Sequence, residues 1–234
     1  MEKLRLDKFI SSQLNVSRNE AHLAIKKGTV TVNGEVIRDR SLIINPNADK
    51  ITHNGQAITY KKYIYILMNK PSGVLSASND KNRHTVVDLV PPNLKRQGLF
   101  PVGRLDKDTT GLLIITDDGE FAHRVISPKS NIPKCYLAEL DGDINDEIIA
   151  RFSEGIVLAD GTKCKPAELC RVSKNVARIT ITEGKYHQIK RMFGVFDLGV
   201  NSLHRESVGH LKLPKELFFG QCVEILSKDV ELLC

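Results

Sequence analysis

The sequence lacks several features that would place it in a common protein class. Its five cysteines include no C-x-x-C pair, and an odd, scattered set does not indicate a disulfide framework or a zinc site. No apolar run approaches the roughly 20 residues that span a bilayer, and the opening MEKLRLDKFI has no apolar signal core. These absences predict a cytoplasmic chain with reduced thiols, no metal site and no membrane contact.

Several sequence motifs of enzymes that bind nucleotides or zinc are missing too. The chain contains no G-x-x-x-x-G-K-S/T, no G-x-G-x-x-G, no H-E-x-x-H and no G-x-S-x-G. Their absence argues against the common nucleotide hydrolases, dinucleotide-dependent enzymes and zinc proteases.

The charge is mildly basic and unevenly distributed. With 41% hydrophobic residues the chain has enough apolar side chains for a core, and its formal net charge is +6. Residues 1–60 carry nine Lys/Arg against six Asp/Glu, while residues 61–234 carry 25 against 22. Positive charge is therefore denser in the N-terminal segment, which suits a polyanionic partner.

The first 60 residues have the pattern of a small α+β module. A first helix is indicated by apolar residues at helical spacing, namely Leu6, Phe9, Ile10 and Leu14. Ser17 and Glu20 form a capping box that begins a second helix. The turn pair Asn33 and Gly34 separates two strand-like runs and predicts a hairpin. We therefore expect one domain over residues 1–60 and a second over residues 61–234.

The second segment has a different pattern. Strands are predicted at 64–68, 112–115, 136–140, 178–181 and 223–226, and helices at 120–126, 144–154 and 186–196. Residues 85–90 fit either a short helix or a strand. Strands outnumber helices without alternating regularly with them, which predicts a mixed α+β domain with a largely antiparallel sheet.

Two charged stretches are candidates for a functional site. Residues 103–113, GRLDKDTTGLL, place charged side chains between a glycine and a buried strand, where a loop can present them to a substrate. A solvated turn whose aspartates cap backbone amides would also explain this pattern. Residues 183–193, EGKYHQIKRMF, would on their own indicate a helix with a basic face.

Taken together, the two stretches resemble signature blocks of the pseudouridine synthases that modify ribosomal RNA. K-C-Y at 134–136 resembles the family's K-x-Y segment, and N-K-P-S-G at 69–73 its N-K-P-x-G opening. The N-terminal module is similar, over residues 4–50, to the alpha-L RNA-binding motif shared with small-subunit ribosomal protein S-four. That module, together with K-R-M after H-Q-I, resembles the small-subunit synthase A (RsuA) branch.

This resemblance implies an isomerase that converts a specific uridine of 16S rRNA to pseudouridine without cofactor or metal. Asp106 matches the family's carboxylate nucleophile, and Lys190 the basic residue placed against it, with Arg191 as the alternative. Tyr136 matches the tyrosine that stacks on the target base. A nearby cation keeps a carboxylate ionised, as a nucleophile in a partly desolvated pocket requires.

The resemblance also implies that the target nucleotide leaves the RNA stack. Ile189 is expected to pack on the other side of the base, and Arg104 to stack where the base had been. His187 receives no catalytic role and is expected to form hydrogen bonds inside the fold.

Affinity for RNA is expected from the N-terminal domain. Its candidate phosphate contacts are five cations: Arg5, Lys8, Arg18, Lys26 and Lys27. The expected partner is ribosomal RNA or the assembling small ribosomal subunit, bound by a monomer.

Two alternative functions stay open at this point. The first is a 23S rRNA synthase of the same family. The second is a non-catalytic, ribosome-associated RNA-binding protein, which would explain residues 1–60 and the charge. It would not explain why Asp106, Tyr136 and Lys190 occur together with their surrounding motifs.

Overall fold

The computed structural model describes residues 2–127, 129–231 and 233. Contacts divide the chain into two compact units. The first contains the chain up to Tyr63 together with the short segment Lys95–Gly98, and the second contains Ile64–Leu94 and the chain from Leu99 onward. Among the described residues, no helix is long and apolar enough to cross a membrane. The same residues contain no cluster of three or more side chains suited to a metal ion.

The first unit combines two helices with short strands. Its elements are β1 (Leu4–Arg5), α1 (Leu6–Leu14), α2 (Arg18–Lys27), β2 (Val30–Val32), β3 (Glu35–Val36), β4 (Ile43–Ile44), β5 (Ile51–His53) and β6 (Gln56–Ala57). Four strands form a sheet in the order β3-β2-β5-β6, and β1 pairs with β4. The predicted capping box is confirmed: the Ser17 side chain accepts a hydrogen bond from Glu20 N, and the Glu20 carboxylate accepts one from Ser17 N.

The second unit is built around one large sheet. Its strands are β7 (Tyr65–Lys70), β8 (Phe100–Pro101), β9 (Thr110–Thr116), β10 (Lys134–Leu140), β11 (Glu168–Arg171), β12 (Val176–Ile181), β13 (Val200–Val208), β14 (Leu211–Lys212) and β15 (Cys222–Glu224). Its helices are α3 (Gly119–Ile126), α4 (Asp146–Glu154), α5 (Gln188–Gly194) and α6 (Ser227–Glu231). The main strand order is β11-β12-β10-β13-β9-β7-β15, and every pairing except β13 with β9 is antiparallel.

Both faces of this sheet are covered at β9. Leu113 and Ile115 belong to one buried apolar cluster, and Leu112 and Ile114 to another. Because alternate residues of a strand point to opposite faces, the uninterrupted apolar run of β9 indicates a strand buried on both sides.

The expected α+β class and largely antiparallel sheet are confirmed, but some elements differ. Residues 85–90 form neither a helix nor a strand; Thr85 makes a single bridge to Leu75 and turns follow. The longest strand, β13, was not predicted. Its sequence VNSLHRESV has few apolar residues, and it buries Arg205 on its interior side, so the alternation is obscured.

Gly111 sets the distance between β9 and β13. It has a φ of +103° and pairs with Arg205 across the parallel strands. A Cβ atom at this position would lie 2.3 Å from the Arg205 carbonyl oxygen. Only glycine combines this backbone conformation with so close an approach.

We therefore expect Gly111→Ala to destabilise the second unit by about 3 kcal/mol or more, through backbone strain and displacement of β13. Gly220→Ala is the matched control, because Gly220 also has a positive φ but has no atom within 4 Å of an added Cβ. It should cost only about 1–2 kcal/mol. Urea unfolding of the three proteins measures both values, and equal losses would contradict the role given to the close contact.

Candidate active site

A cavity of about 1160 Å³ in the second unit brings together most of the residues predicted for catalysis and substrate binding. Its wall includes five of them: Arg104, Asp106, Tyr136, Ile189 and Lys190. They come from the loop before β9, from β10, and from the start of α5. Arg191 is not part of this wall; its guanidinium Nη2 lies 2.5 Å from Oδ2 of Asp160.

The loop that carries Asp106 is anchored on both sides of this residue. Ser76 Oγ donates to the Leu105 carbonyl at 2.9 Å and accepts from Leu105 N at 3.1 Å. Thr109 N donates to the Asp106 carbonyl, and Gly73 N donates to the Lys107 carbonyl. The Asp106 side chain is 30% exposed, so the carboxylate is presented by a fixed backbone but remains accessible.

Lys70 anchors the same loop through hydrogen bonds from its ammonium group. Its side chain is fully buried, and its ammonium donates to the carbonyl oxygens of Pro71, Lys107 and Thr109 at 2.9–3.1 Å. Burial lowers the pKa of Lys70 to about 8, against the opposing effect of the carboxylates of Asp108 and Asp106. A buried cation that donates hydrogen bonds to three carbonyls restrains the loop and places a positive charge next to it.

The side chain that faces Asp106 is His187. Its Nε2 lies 3.5 Å from Asp106 Oδ1, and its ring stacks on the exposed Tyr186 with centroids 4.0 Å apart. His187 has a left-handed backbone, with φ of +47°, at the start of α5. The expectation that His187 would form hydrogen bonds inside the fold stays a prediction; the left-handed turn places its imidazole beside the Asp106 carboxylate.

Lys190 has a different partner from the one expected. Its Nζ lies 2.5 Å from Oδ2 of Asp108, two residues beyond Asp106, and this hydrogen bond is the main cause of a lowered pKa at Asp108. The structure therefore corrects the prediction that Lys190 pairs with Asp106. Asp108 is 67% exposed and Asp106 is 30% exposed, and the ammonium pairs with the more exposed of the two carboxylates.

Tyr136 forms part of the cavity wall with two cations that sequence reasoning missed. Tyr136 is 7% exposed on β10, directly opposite Arg205 of β13. Arg205 Nε donates to the Leu112 carbonyl at 2.7 Å, and its Nη1 lies 3.5 Å from the Tyr136 hydroxyl. Lys134 lines the cavity as well. The K-x-Y segment could have drawn attention to Lys134, but nothing in VNSLHRESV marks Arg205 as buried.

The cations predicted to bind RNA all lie in the first unit, and four of them are exposed without an ion-pair partner among the described residues: Lys8, Arg18, Lys26 and Lys27. Arg5 differs, because its guanidinium pairs with the buried carboxylate of Asp7 at 2.8 Å. The hydrogen bond from Arg5 holds the pKa of Asp7 well below its usual range, although burial opposes the shift. Arg5 therefore has a structural partner that the other four lack.

Comparisons with known proteins agree with this architecture. The family model for RNA pseudouridylate synthases matches residues 64–194, more than half of the chain, and the model for the S4 domain matches residues 4–49. A crystal structure of a pseudouridylate synthase superposes with a TM-score of 0.70 at 34% sequence identity, covering 99% of this chain and 100% of that one.

Full-length relatives give the same result. The chain is 39% identical over 235 residues to the uncharacterised RNA pseudouridine synthase YtzG of Bacillus subtilis, covering 98% of both proteins. It is 35% identical over 229 residues to ribosomal small subunit pseudouridine synthase A of Escherichia coli, covering 97% of this chain and 98% of that protein. The chain therefore belongs to the RNA pseudouridine synthase family, a family of isomerases. Within it the chain is of the RsuA type, with an N-terminal S4 domain.

Replacing Lys70 should loosen the loop that carries Asp106. In Lys70→Met the carbonyls of Pro71, Lys107 and Thr109 lose their donor, and we expect a destabilisation of about 1–3 kcal/mol. Hydrogen exchange at the amides of Gly73 and Thr109 should accelerate, because both bond across this loop. Lys174→Met, at an exposed lysine, is the control. Unchanged exchange at both amides would rule out the anchoring role.

Proposed function

We propose that this protein isomerises a uridine of 16S ribosomal RNA to pseudouridine, with Asp106 as the nucleophile. The observation that supports this most directly is the single cavity shared by Asp106 and Tyr136, with the Asp106 loop anchored by Ser76 and Lys70. The choice of 16S rRNA is favoured by the relative named for the small ribosomal subunit, which matches this chain over nearly its whole length.

The proposed reaction conserves all atoms. A carboxylate oxygen of Asp106 bonds to C1′ of the ribose as the N1–C1′ bond breaks, and the electron pair leaves with the base, which becomes a uracil anion. The base then turns, C5 bonds to C1′, and the bond from C1′ to the carboxylate oxygen breaks. Loss of the C5 proton and protonation of N1 complete the isomerisation.

The remaining wall residues are proposed to hold the everted nucleotide. Tyr136 stacks on the base and Ile189, 4% exposed, packs on its other side. Arg104 is exposed at the edge of the cavity, where its planar guanidinium can take the place of the base in the RNA stack. The Lys190 ammonium favours the ionised carboxylate of Asp108, and the His187 imidazole lies beside the Asp106 carboxylate.

The S4 domain is proposed to hold the RNA during this reaction. Its exposed cations, Lys8, Arg18, Lys26 and Lys27, are free to contact phosphates, whereas Arg5 can do so only while keeping its bond to Asp7. The partner would be ribosomal RNA or an assembling small subunit, bound by a monomer in the cytoplasm.

Asp106→Asn is expected to reduce turnover by a factor of 1,000 or more, because an amide cannot act as the anionic nucleophile. RNA binding and thermal stability should remain close to those of the wild type. Asp143→Asn, at an exposed aspartate paired with Lys174, should keep full activity. Tritium release from rRNA carrying C5-tritiated uridine measures turnover. Substantial activity in Asp106→Asn would reject the assignment.

The target RNA is tested by mapping pseudouridines in rRNA from cells with and without the gene. We expect one 16S position to lose its modification and to regain it with the wild-type protein but not with Asp106→Asn. Loss at a 23S position would identify a large-subunit synthase instead. Intact modification of both rRNAs would favour a non-catalytic RNA-binding protein.

Neutralising Lys26 and Lys27 should weaken RNA binding without slowing the chemical step. In the double variant Lys26→Gln/Lys27→Gln, the slope of log affinity against log salt should shrink by about 1.5, as expected when two phosphate contacts are lost. Lys174→Gln, outside the S4 domain, should leave the slope unchanged. A wild-type slope in the double variant would remove both lysines from the RNA-binding surface.

A further inference from the structure

Lys134 and Arg205 lie on the same face of the sheet as Tyr136. Lys134 precedes Tyr136 by two residues on β10, so their side chains share one face. Arg205 pairs directly with Tyr136 on the neighbouring strand β13. On the other side of β10, Lys134 and Tyr136 face Ile181 and Ile179 of β12. The tyrosine is thus flanked by one cation along its own strand and a second across the sheet.

Neither cation has an acidic partner within ion-pair distance among the described residues. Lys134 Nζ donates to the Ile132 carbonyl at 3.0 Å. Arg205 donates to the Leu112 carbonyl, and its longer contact is with the Tyr136 hydroxyl. Burial lowers the pKa of Lys134, and the positive charge of Arg205 lowers it further. Two like charges therefore share one wall of the cavity, and among the described residues neither has a carboxylate within ion-pair distance.

Two neighbouring cations such as Lys134 and Arg205 destabilise the fold unless a negatively charged group of the substrate enters the cavity during the reaction. A desolvated cation without an anionic partner destabilises a fold, and Arg205 is only 5% exposed. The fold nevertheless fixes Arg205 firmly, because Gly111 allows β13 to approach β9 and Leu112 accepts its Nε–H. Groups held in place against an electrostatic penalty are typical of a site arranged for charge that develops on a substrate.

We infer that Lys134 and Arg205 bind the carbonyl edge of the everted uracil and stabilise the negative charge that it carries after the N1–C1′ bond breaks. This inference rests on the proposed function. The electron pair of the broken bond leaves with N1, and resonance spreads its charge to O2 and O4 of the ring. Donors held beside the stacking tyrosine meet this charge as it forms, so they favour bond cleavage over mere binding.

The uracil base is a better candidate than a backbone phosphate for the group that Lys134 and Arg205 bind. An everted nucleotide enters a cavity base first, while its phosphates remain in the RNA chain at the opening. Arg205 is nearly inaccessible to solvent and contacts the hydroxyl of the residue assigned to stack on the base. Arg104, by contrast, is exposed, as its assigned place in the RNA stack requires.

Lys134 is the better residue to replace, because its ammonium bonds only to the Ile132 carbonyl whereas Arg205 connects β13 to β9. We expect Lys134→Met to lower the single-turnover rate constant at saturating rRNA by about 10- to 100-fold, somewhat less than the loss of a fully enclosed donor. The dissociation constant for RNA should stay within about twofold. Lys134→Arg, which keeps the charge, should recover most of the rate, and Lys174→Met should match the wild type.

A second substrate tests the origin of the effect. RNA with 5-fluorouridine at the target carries an electron-withdrawing substituent that stabilises the uracil anion. The rate loss in Lys134→Met should therefore shrink at least threefold on this RNA, measured as disappearance of 5-fluorouridine after nuclease digestion and chromatography. Lys134→Gln provides the same comparison if the methionine variant fails to fold, as judged by thermal unfolding.

Three outcomes would overturn the inference. A weakened dissociation constant with an unchanged rate constant would identify a phosphate contact. An unchanged rate and affinity would show that Lys134 is merely structural. An equal rate loss on both substrates would exclude stabilisation of the base anion. A wild-type protein that forms no pseudouridine in any rRNA would instead reject the proposed function itself, so the two failures are distinguishable.

Discussion

The close backbone contact between Gly111 and Arg205 is the constraint on which the site depends. It joins β9 to β13 through the one parallel pairing in the main strand order of the sheet. The same contact fixes the strand that follows the Asp106 loop and places Arg205 opposite Tyr136. A side chain at Gly111 would push these strands apart, so this glycine determines the distance between the carboxylate loop and the tyrosine face.

A second constraint is electrostatic, and it acts on the loop rather than on the strands. Burial lowers the pKa of Lys70 to about 8, and the charges of Asp108 and Asp106 offset part of this shift. The ammonium donates hydrogen bonds to three carbonyls of the loop. The loop is therefore restrained by a charge that depends on the loop's own carboxylates. Anchoring and electrostatics are coupled here, since a change at Asp106 or Asp108 also changes the environment of Lys70.

The sequence was informative where the physics is local. Helical spacing and the capping box of Ser17 located the helices of the first unit, and the apolar run at residues 112–115 located β9. The resemblance singled out Asp106, Tyr136, Ile189 and Lys190, and all four line one cavity in the structure. Three features that depend on tertiary geometry were not predicted: the left-handed turn at His187, the partner of Lys190, and the burial of Arg205. A polar side chain on an interior strand face has no local sequence pattern that distinguishes it from an exposed one.

The charged groups at the site form two sets, and the cations beside Tyr136 lie outside ion-pair distance of the carboxylates of the Asp106 loop. Asp106 and Asp108 face His187 and Lys190 at the loop. Lys134 and Arg205 lie beside Tyr136, and neither has an acidic partner within ion-pair distance among the described residues. If the lone cations reached Asp106, they would form a tight pair with it and reduce its nucleophilicity. In the proposed reaction, their position on the separate strands β10 and β13 keeps the carboxylate available for C1′ and leaves donors for the departing base.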